Sequence, residues 1–493
     1  MSSKFVFLIS VFLIHLFFNT ILLYYTLTND TFFSFGLSLL VVHNTIFFPL
    51  YFFILHKSFN PFAPLFLFVL FFFILYVATS AIIFNSNDFN AFGGLNYSIF
   101  ERNNPKYLYQ LAVSILFFYS GYYFSVILFF KNTFSFKYLN RNNIILKFRS
   151  IKIIIFLYIF SILFRAIGYY LGFMGSTIKN DDNLPSIPFI SLFFFISNLW
   201  YLYIGFIMYY LFQNKIKYKY VLVILVLELI FVVLSGDRRM ILNLFFSTLF
   251  PFLFLGFKFP TKYVFVISIL FLLVYLPITT AYGKVFANNP NLKLDFQTLI
   301  QVFQYTFENA DISVSRSLKT SYIAILESFN GLYNYHIGYI NYLDKDIRLG
   351  PVGIQNILVK MIPGVFNLDK NSFGRNIENT FGDHAFLYKV DYSYLNIYFP
   401  TEMIISFGFL GLFLGMFMLG FIMFYIFKSL FYSNNIMFII LYLGLFPYFS
   451  FYLNGSFVGG DFIFALRVLI YVFLINVVYK ILRNSAKEKY ISN

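Results

Sequence analysis

Apolar runs of about twenty residues alternate with short polar turns along almost the whole chain. Such a run, at about 1.5 Å of rise per residue, matches a hydrocarbon core about 30 Å thick. The pattern predicts twelve helical spans, at 4–27, 33–55, 61–84, 108–130, 153–174, 187–212, 220–236, 240–257, 263–282, 401–427, 434–453 and 462–482. The first run follows Lys4 and continues to about Leu27 with no small-residue cleavage motif after it, so it reads as a retained helix rather than a removed signal.

One long segment, 283–400, interrupts the alternation. In "DFQTLIQVFQYTF" the residues Phe296, Leu299, Ile300, Phe303 and Phe307 fall at helical spacing. That predicts an amphipathic helix lying on the membrane surface or on the bundle. A second helical stretch, "SVSRSLKTSYIAILESF", follows, and from "RLGPVG" onward Gly and Pro predict irregular loop with short helices. Three parts result: 1–282 with spans one to nine, 283–400 as a large, partly helical loop, and 401–493 with spans ten to twelve and a basic tail.

Composition agrees with a membrane protein. Of 493 residues, 60% are hydrophobic and 11% charged, with a mean hydropathy of +0.78. A soluble domain could not bury that much apolar surface. There is no cysteine, hence no disulfide framework or thiolate metal site. The five histidines, His15, His43, His56, His336 and His384, show no metal-ligand spacing. Abundant Phe, Ile, Asn, Lys and Tyr point to AT-rich coding, so the 77 Phe are weak evidence for an aromatic site.

Charge sets the topology. Loop 131–152, loop 213–219 and the C-terminal tail are basic, which places them and both termini in the cytoplasm. Of the 20 acids only Glu488 then falls on that side, and Glu228 lies within a span. The net charge of +15 is thus a topology signal that implies no nucleic acid partner. Eight of 11 Arg are outside or within the membrane, whereas 15 of 24 Lys are cytoplasmic. Guanidinium grips phosphate bidentately and ammonium does not, so this bias points to an anionic ligand at the outer side.

Three constellations could carry chemistry. Asp237-Arg238-Arg239 sits at the outer N-terminus of span eight, where free N–H groups and the helix dipole favour an anion. Asp237 would cap the helix and orient one arginine. Snorkelling of the arginines to lipid headgroups is the alternative. The second set is the charges inside spans: Arg165, Glu228 and Arg467. Such groups are expensive in a bilayer and usually functional, although a structural Glu–Arg pair also fits Glu228. Arg467, near the outer interface, could reach a lipid phosphate. The third lies between Phe373 and Gly415, with Arg375, Glu378, Asp383, His384, Asp391 and Glu402. Pro400-Thr401-Glu402 predicts a helix start with Glu402 in the first turn at the outer interface, as a catalytic or merely dipole-compensating acid. Gly408, Gly411 and Gly415 predict close helix contact within the bundle. His384, flanked by acids, suits a general base or a donor to a leaving phosphate. Arg316 and Arg348 could face headgroups or acidic sugars, or simply solvent.

These features together resemble the Wzy-type O-antigen and capsular polysaccharide polymerases, relatives in architecture of the O-antigen ligases with their GT-C-like fold. The resemblance rests on "LSGDRRM", on the large loop before the last spans, and on "DYSYLNIYFPTEMIISFGFLGLFLG", where an acid (Glu402) precedes Phe407-Gly408. Pro400 beside the acid departs from the commoner pattern, and Arg316, Arg348 and Arg375 compete for the family's second periplasmic arginine. The resemblance implies an all-α polytopic enzyme of the bacterial cytoplasmic membrane. It would transfer a growing glycan from undecaprenyl pyrophosphate to the sugar of an incoming lipid-linked repeat unit, with no cofactor, metal or nucleotide. Its implied partners are that lipid-linked oligosaccharide, membrane lipid, and a chain-length regulator and flippase of the same pathway. Arg238 and Arg239, helped by Arg467 and Arg165, would hold the pyrophosphate. His384 or Glu402 would be the base, Arg375 would position glycan, and Asp237 and Glu228 would orient the arginines. The alternatives are a lipid-linked oligosaccharide flippase and a glycosyltransferase using polyprenyl-phosphate sugars. For the latter, the first outer loop offers only Asp30.

Overall fold

The computed structural model describes residues 3–28, 33–56, 63–78, 106–130, 151–170, 199–213, 216–235, 399–432 and 436–451, with isolated helical positions between 244 and 470. Every regular element among them is helical. In chain order these are α1 (Ser3–Thr28), α2 (Phe33–His56), α3 (Pro64–Phe72, running into a π-helical turn Phe73–Ala78), α4 (Lys106–Phe130) and α5 (Ile151–Tyr170). There follow α6 (Trp200–Phe212), α7 (Tyr218–Ser235), α8 (Phe399–Phe431) and α9 (Ile436–Phe451). Ile9–Thr28, Ser34–Tyr51, Lys106–Phe129 and Phe399–Phe431 are long and apolar enough to cross a membrane.

Helix is what apolar sequence must adopt in such surroundings, because lipid offers backbone N–H and C=O groups no partner and the helix satisfies them internally. Hydroxyl side chains do the same on a smaller scale. Thr20, Thr26, Thr28, Thr45 and Ser120 each donate to the carbonyl four residues back. Spans four, five, seven, ten and eleven of the sequence pattern coincide with α4, α5, α7, α8 and α9 to within a few residues. Spans eight, nine and twelve lie almost wholly outside the described residues. In the large loop only five isolated helical positions before α8 are described, among them Ile300 and Gln304 of the amphipathic stretch, both exposed.

The helices α1 and α2 run antiparallel, since Asn19 meets Asn44 while His15 meets Tyr51. The helices α4 and α8 run in the same direction, with Phe117 beside Phe413, Phe124 beside Phe421 and Phe129 beside Tyr425. At their shared end the Lys428 ammonium donates to the Phe129 carbonyl at 3.2 Å, and its positive charge offsets the negative end of the α4 dipole. Gly121 and Gly420 make the approach possible, since a Cβ on either would collide with the other helix's backbone at Phe417 or Phe118. The helix α6 packs against α5, α7 and α9, and α8 in turn packs against α9, which links the two groups of helices.

The long helix α8 is not straight. Gly408 has φ 68° and ψ −161°, a region that only glycine occupies without strain. In a straight helix residues 403 and 415 would be about 18 Å apart. Instead a Cβ on Gly415 would lie 2.7 Å from the Met403 sulfur and 3.5 Å from the Phe399 ring. The first nine residues therefore fold back along the rest. The expected contact of Gly411 and Gly415 is made with their own helix's first segment, while Gly420 serves the neighbouring helix.

Candidate functional site

Two of the three intramembrane charges meet. Arg165 lies fourteen residues into α5 and Glu228 ten residues into α7. The guanidinium donates through both terminal nitrogens to the carboxylate, Nη1 to Oε2 at 2.7 Å and Nη2 to Oε1 at 2.6 Å. This fork-to-fork pairing is the strongest geometry open to a carboxylate and a guanidinium. The side chains are 2% and 0% exposed. A third group completes the arrangement: the Tyr158 hydroxyl donates to Glu228 Oε1 at 2.7 Å. Tyr158 precedes Arg165 by seven residues, two helical turns, so both project from one face of α5 and grip the carboxylate between them.

Aromatic rings cover what the carboxylate leaves open. The Arg165 guanidinium carbon lies 5.1 Å from the Trp200 ring centre and 4.7 Å from that of Phe231. Trp200 is the first residue of α6 and the chain's single tryptophan. Phe231 stands one turn beyond Glu228 on α7. Arg165 Nε makes no hydrogen bond, and the π-faces supply its electrostatic compensation. Three helices, α5, α6 and α7, thus converge on one cation and one anion. With both terminal nitrogens on Glu228, the fork of Arg165 can grip a diphosphate only if this pair opens.

Glu402 sits in the first turn of α8, as the sequence predicts. It is not an exposed interfacial acid, because its side chain is 2% exposed and neighbouring Thr401 is 0% exposed. The fold-back at Gly408 is the physical reason, since it packs this first turn alongside the Gly411–Gly415 stretch instead of extending it away. Asp237, Arg238, Arg239, Arg375, His384 and Arg467 lie outside the described residues. The structure describes the helix that precedes the double arginine, α7, as far as Ser235.

Sequence reasoning found Arg165 and Glu228 singly and missed Tyr158, Trp200 and Phe231. Two-turn spacing from Arg165 was the available signal for Tyr158. It also missed a second buried cluster, His15 with His43, because the search was for metal-ligand spacing along one segment. These two meet across α1 and α2, twenty-eight residues apart. Among the described residues no group of three or more metal-ligating side chains occurs.

Comparison with known families, curated proteins and solved structures finds no match.

Proposed function

We propose that this chain is a polysaccharide polymerase of the Wzy type, crossing the bacterial cytoplasmic membrane about twelve times with both termini inside. It would join undecaprenyl-pyrophosphate-linked repeat units at the outer face. The acceptor sugar's hydroxyl attacks C1 of the donor glycan and the C1–oxygen bond to the lipid pyrophosphate breaks. The hydroxyl proton passes to His384 or Glu402, and the leaving diphosphate takes the bond's electron pair. Arg238 and Arg239, with Arg467, neutralise the charge that develops on that diphosphate. Arg375 positions the glycan.

The observation that carries the reading is the fixing of α7. This helix begins just after Lys215 and Lys217, includes Lys219, and is described to Ser235, two positions before Asp237-Arg238-Arg239. Its length of about 27 Å, from eighteen residues at 1.5 Å each, separates the basic end from the double arginine by most of a bilayer core. Glu228, gripped by Arg165 and Tyr158, holds the helix partway along. That is the support an anion site needs if its arginines are to stay in register with a lipid substrate.

The test is incubation of the purified chain with a lipid-pyrophosphate-linked repeat unit and nothing else. A ladder of longer glycans is expected, and Arg238→Ala and Arg239→Ala should each shorten or abolish it. No ladder, with the repeat unit instead carried across a liposome membrane, would replace this reading with a flippase.

A further inference from the structure

The helix α8 is longer than a membrane needs. Its 33 residues would measure about 50 Å if straight, against a hydrocarbon core of about 30 Å. With the start of span ten outside, Lys428, which reaches the Phe129 carbonyl, marks the cytoplasmic end of the α4–α8 pair. Gly408 stands about 30 Å from Lys428 along the helix, the full thickness of the core. The part of α8 from Gly408 onward therefore crosses the core by itself, and Phe399–Phe407 is surplus. An exposed stripe along Leu410, Leu414, Met418, Ile422 and Tyr425 gives the crossing part a lipid-facing side. The surplus segment has no such side. Every residue from Phe399 to Ser406 is buried, and exposure resumes at Phe407.

We propose that Phe399–Phe407 is a re-entrant half-helix, which turns back into the bundle from the outer face and carries Glu402 below the membrane boundary. Gly408 makes the corner with its φ of 68°. Met403 lies against Gly415, which stands about 10 Å below the corner along the helix. Glu402, next to Met403 in the chain, therefore stands about 10 Å inside, whereas on a straight helix it would stand about 9 Å outside. The first N–H groups of such a half-helix begin at a depth where lipid offers no acceptor, so the segment must be enclosed in protein. Its burial on every side meets that condition. The large loop marks the corner as outer. Tyr339 lies 6.1 Å from Phe409, beside the corner, and 5.9 Å from Tyr107, at the start of α4. Leu332, Tyr335 and Tyr339 fall at helical spacing and all three are buried, so the loop seats one helical face there.

Two other placements fit less well. A helix lying on the membrane surface would keep one exposed face, and this segment has none. A straight continuation into the outer loop would bring Phe399, Met403, Ile404 and Ile405 out of the burial they now have. It would also leave no reason for the bare backbone of Gly415, where a Cβ would crowd Met403. The placement rests on the outward start of span ten and on no assumption about the reaction. On the polymerase reading it has one consequence. Glu402 at this depth can take a proton only from a hydroxyl that has come below the boundary, so the acceptor sugar it serves must enter the bundle beside α8.

The chain has no cysteine, so introduced thiols report without background. In the full chain, Met403→Cys with Gly415→Cys should close a disulfide under mild oxidation, read by mass spectrometry of the linked peptide. Met403 Cγ lies 2.9 Å from a Cβ on Gly415, which puts the two Cβ atoms within the roughly 3.5–4.5 Å that a disulfide spans. Single thiols then read depth. In spheroplasts, a membrane-impermeant maleimide added outside should label Phe407→Cys at least tenfold faster than Glu402→Cys or Ile405→Cys. The last two are compared where gel filtration matches the native chain, and Ile405→Cys serves if the acid's loss unfolds the protein. A bimane on Leu414→Cys should be quenched most by nitroxides along the lipid acyl chain, and one on Phe407→Cys by nitroxides at the headgroup. Absence of the disulfide, labelling at 402 or 405 as fast as at 407, or headgroup quenching at 414 would overturn the half-helix. None of these readings needs glycan synthesis, so a chain that passes them and makes no ladder keeps the half-helix and loses the polymerase.

Discussion

Two polar clusters lie inside apolar helices, and they meet the same problem in opposite ways. In the α5–α7 cluster the groups carry full charge, and Arg165 is closed off by Glu228, Tyr158, Trp200 and Phe231. In the α1–α2 cluster the groups are His15, His43 and Tyr51, joined in series, and His43 Nδ1 is left without a partner. A buried charge must be paired or the fold suffers, whereas a buried neutral imidazole can leave one nitrogen open at tolerable cost. The difference teaches that charge, more than polarity alone, dictates how completely a buried group is enclosed.

The comparison breaks most visibly at the ion pair. Arg165→Met or Glu228→Met strands the other charge in the bundle, and each should cost about 3–5 kcal/mol. The double variant Arg165→Met with Glu228→Met removes both charges together and should regain most of that loss. Thermal denaturation in detergent measures all three. Single variants as stable as the native chain would show that the charges are not confined to each other. If the proposed polymerase reading holds, activity adds a second readout, since α7 leads toward the double arginine: the double variant should be stable and still make shorter glycans than the native chain.

Tyr158→Phe sharpens the contrast at smaller amplitude. It deletes one hydrogen bond to a carboxylate and leaves the fork intact, for an expected loss of about 1.5–3 kcal/mol. The corresponding Tyr51→Phe in the open cluster deletes a bond between uncharged groups and should cost about 1 kcal/mol. Measured by the same denaturation assay, equal losses would mean that the two clusters are held alike, contrary to the geometry.

How much of this was legible in the sequence depends on what each feature requires. Apolar runs were legible because length against bilayer thickness is a one-dimensional property, and α4 starts and ends within two residues of its predicted span. Arg165 and Glu228 were legible as costly groups, and a Glu–Arg pair was one of the readings they allowed. The identity of their aromatic cover was not, because Trp200 reaches the pair from a third helix. The fold-back of α8 was illegible for another reason. A small-residue pattern announces close approach but not the approaching partner, and only the backbone at Gly408 shows that Gly411 and Gly415 face their own chain. His15 and His43 escaped because ligand spacing is sought along one segment, while their contact exists only once α1 and α2 pair in antiparallel register. The proposed anion site at 237–239, with Arg375, His384 and Arg467, stands on sequence alone.

The smallest expected effect lies in the α1–α2 seam, beside the two histidines. Asn19 and Asn44 exchange side-chain amide bonds at 3.3 Å in both directions, Asn19 one helical turn beyond His15 and Asn44 directly after His43. If the seam as a whole were what holds α1 to α2, this pair would carry much of the stability. Hydrogen bonds between membrane helices are worth only about 0.6 kcal/mol on average, because the separated helices find other partners. A double-mutant cycle with Asn19→Leu and Asn44→Leu, read by thermal denaturation in detergent, should therefore give a coupling of about that size. A coupling several times larger would make the amides part of one polar unit with His15 and His43. The α1–α2 cluster would then hold its helices as firmly as the charged cluster does, and the contrast between the two would fail.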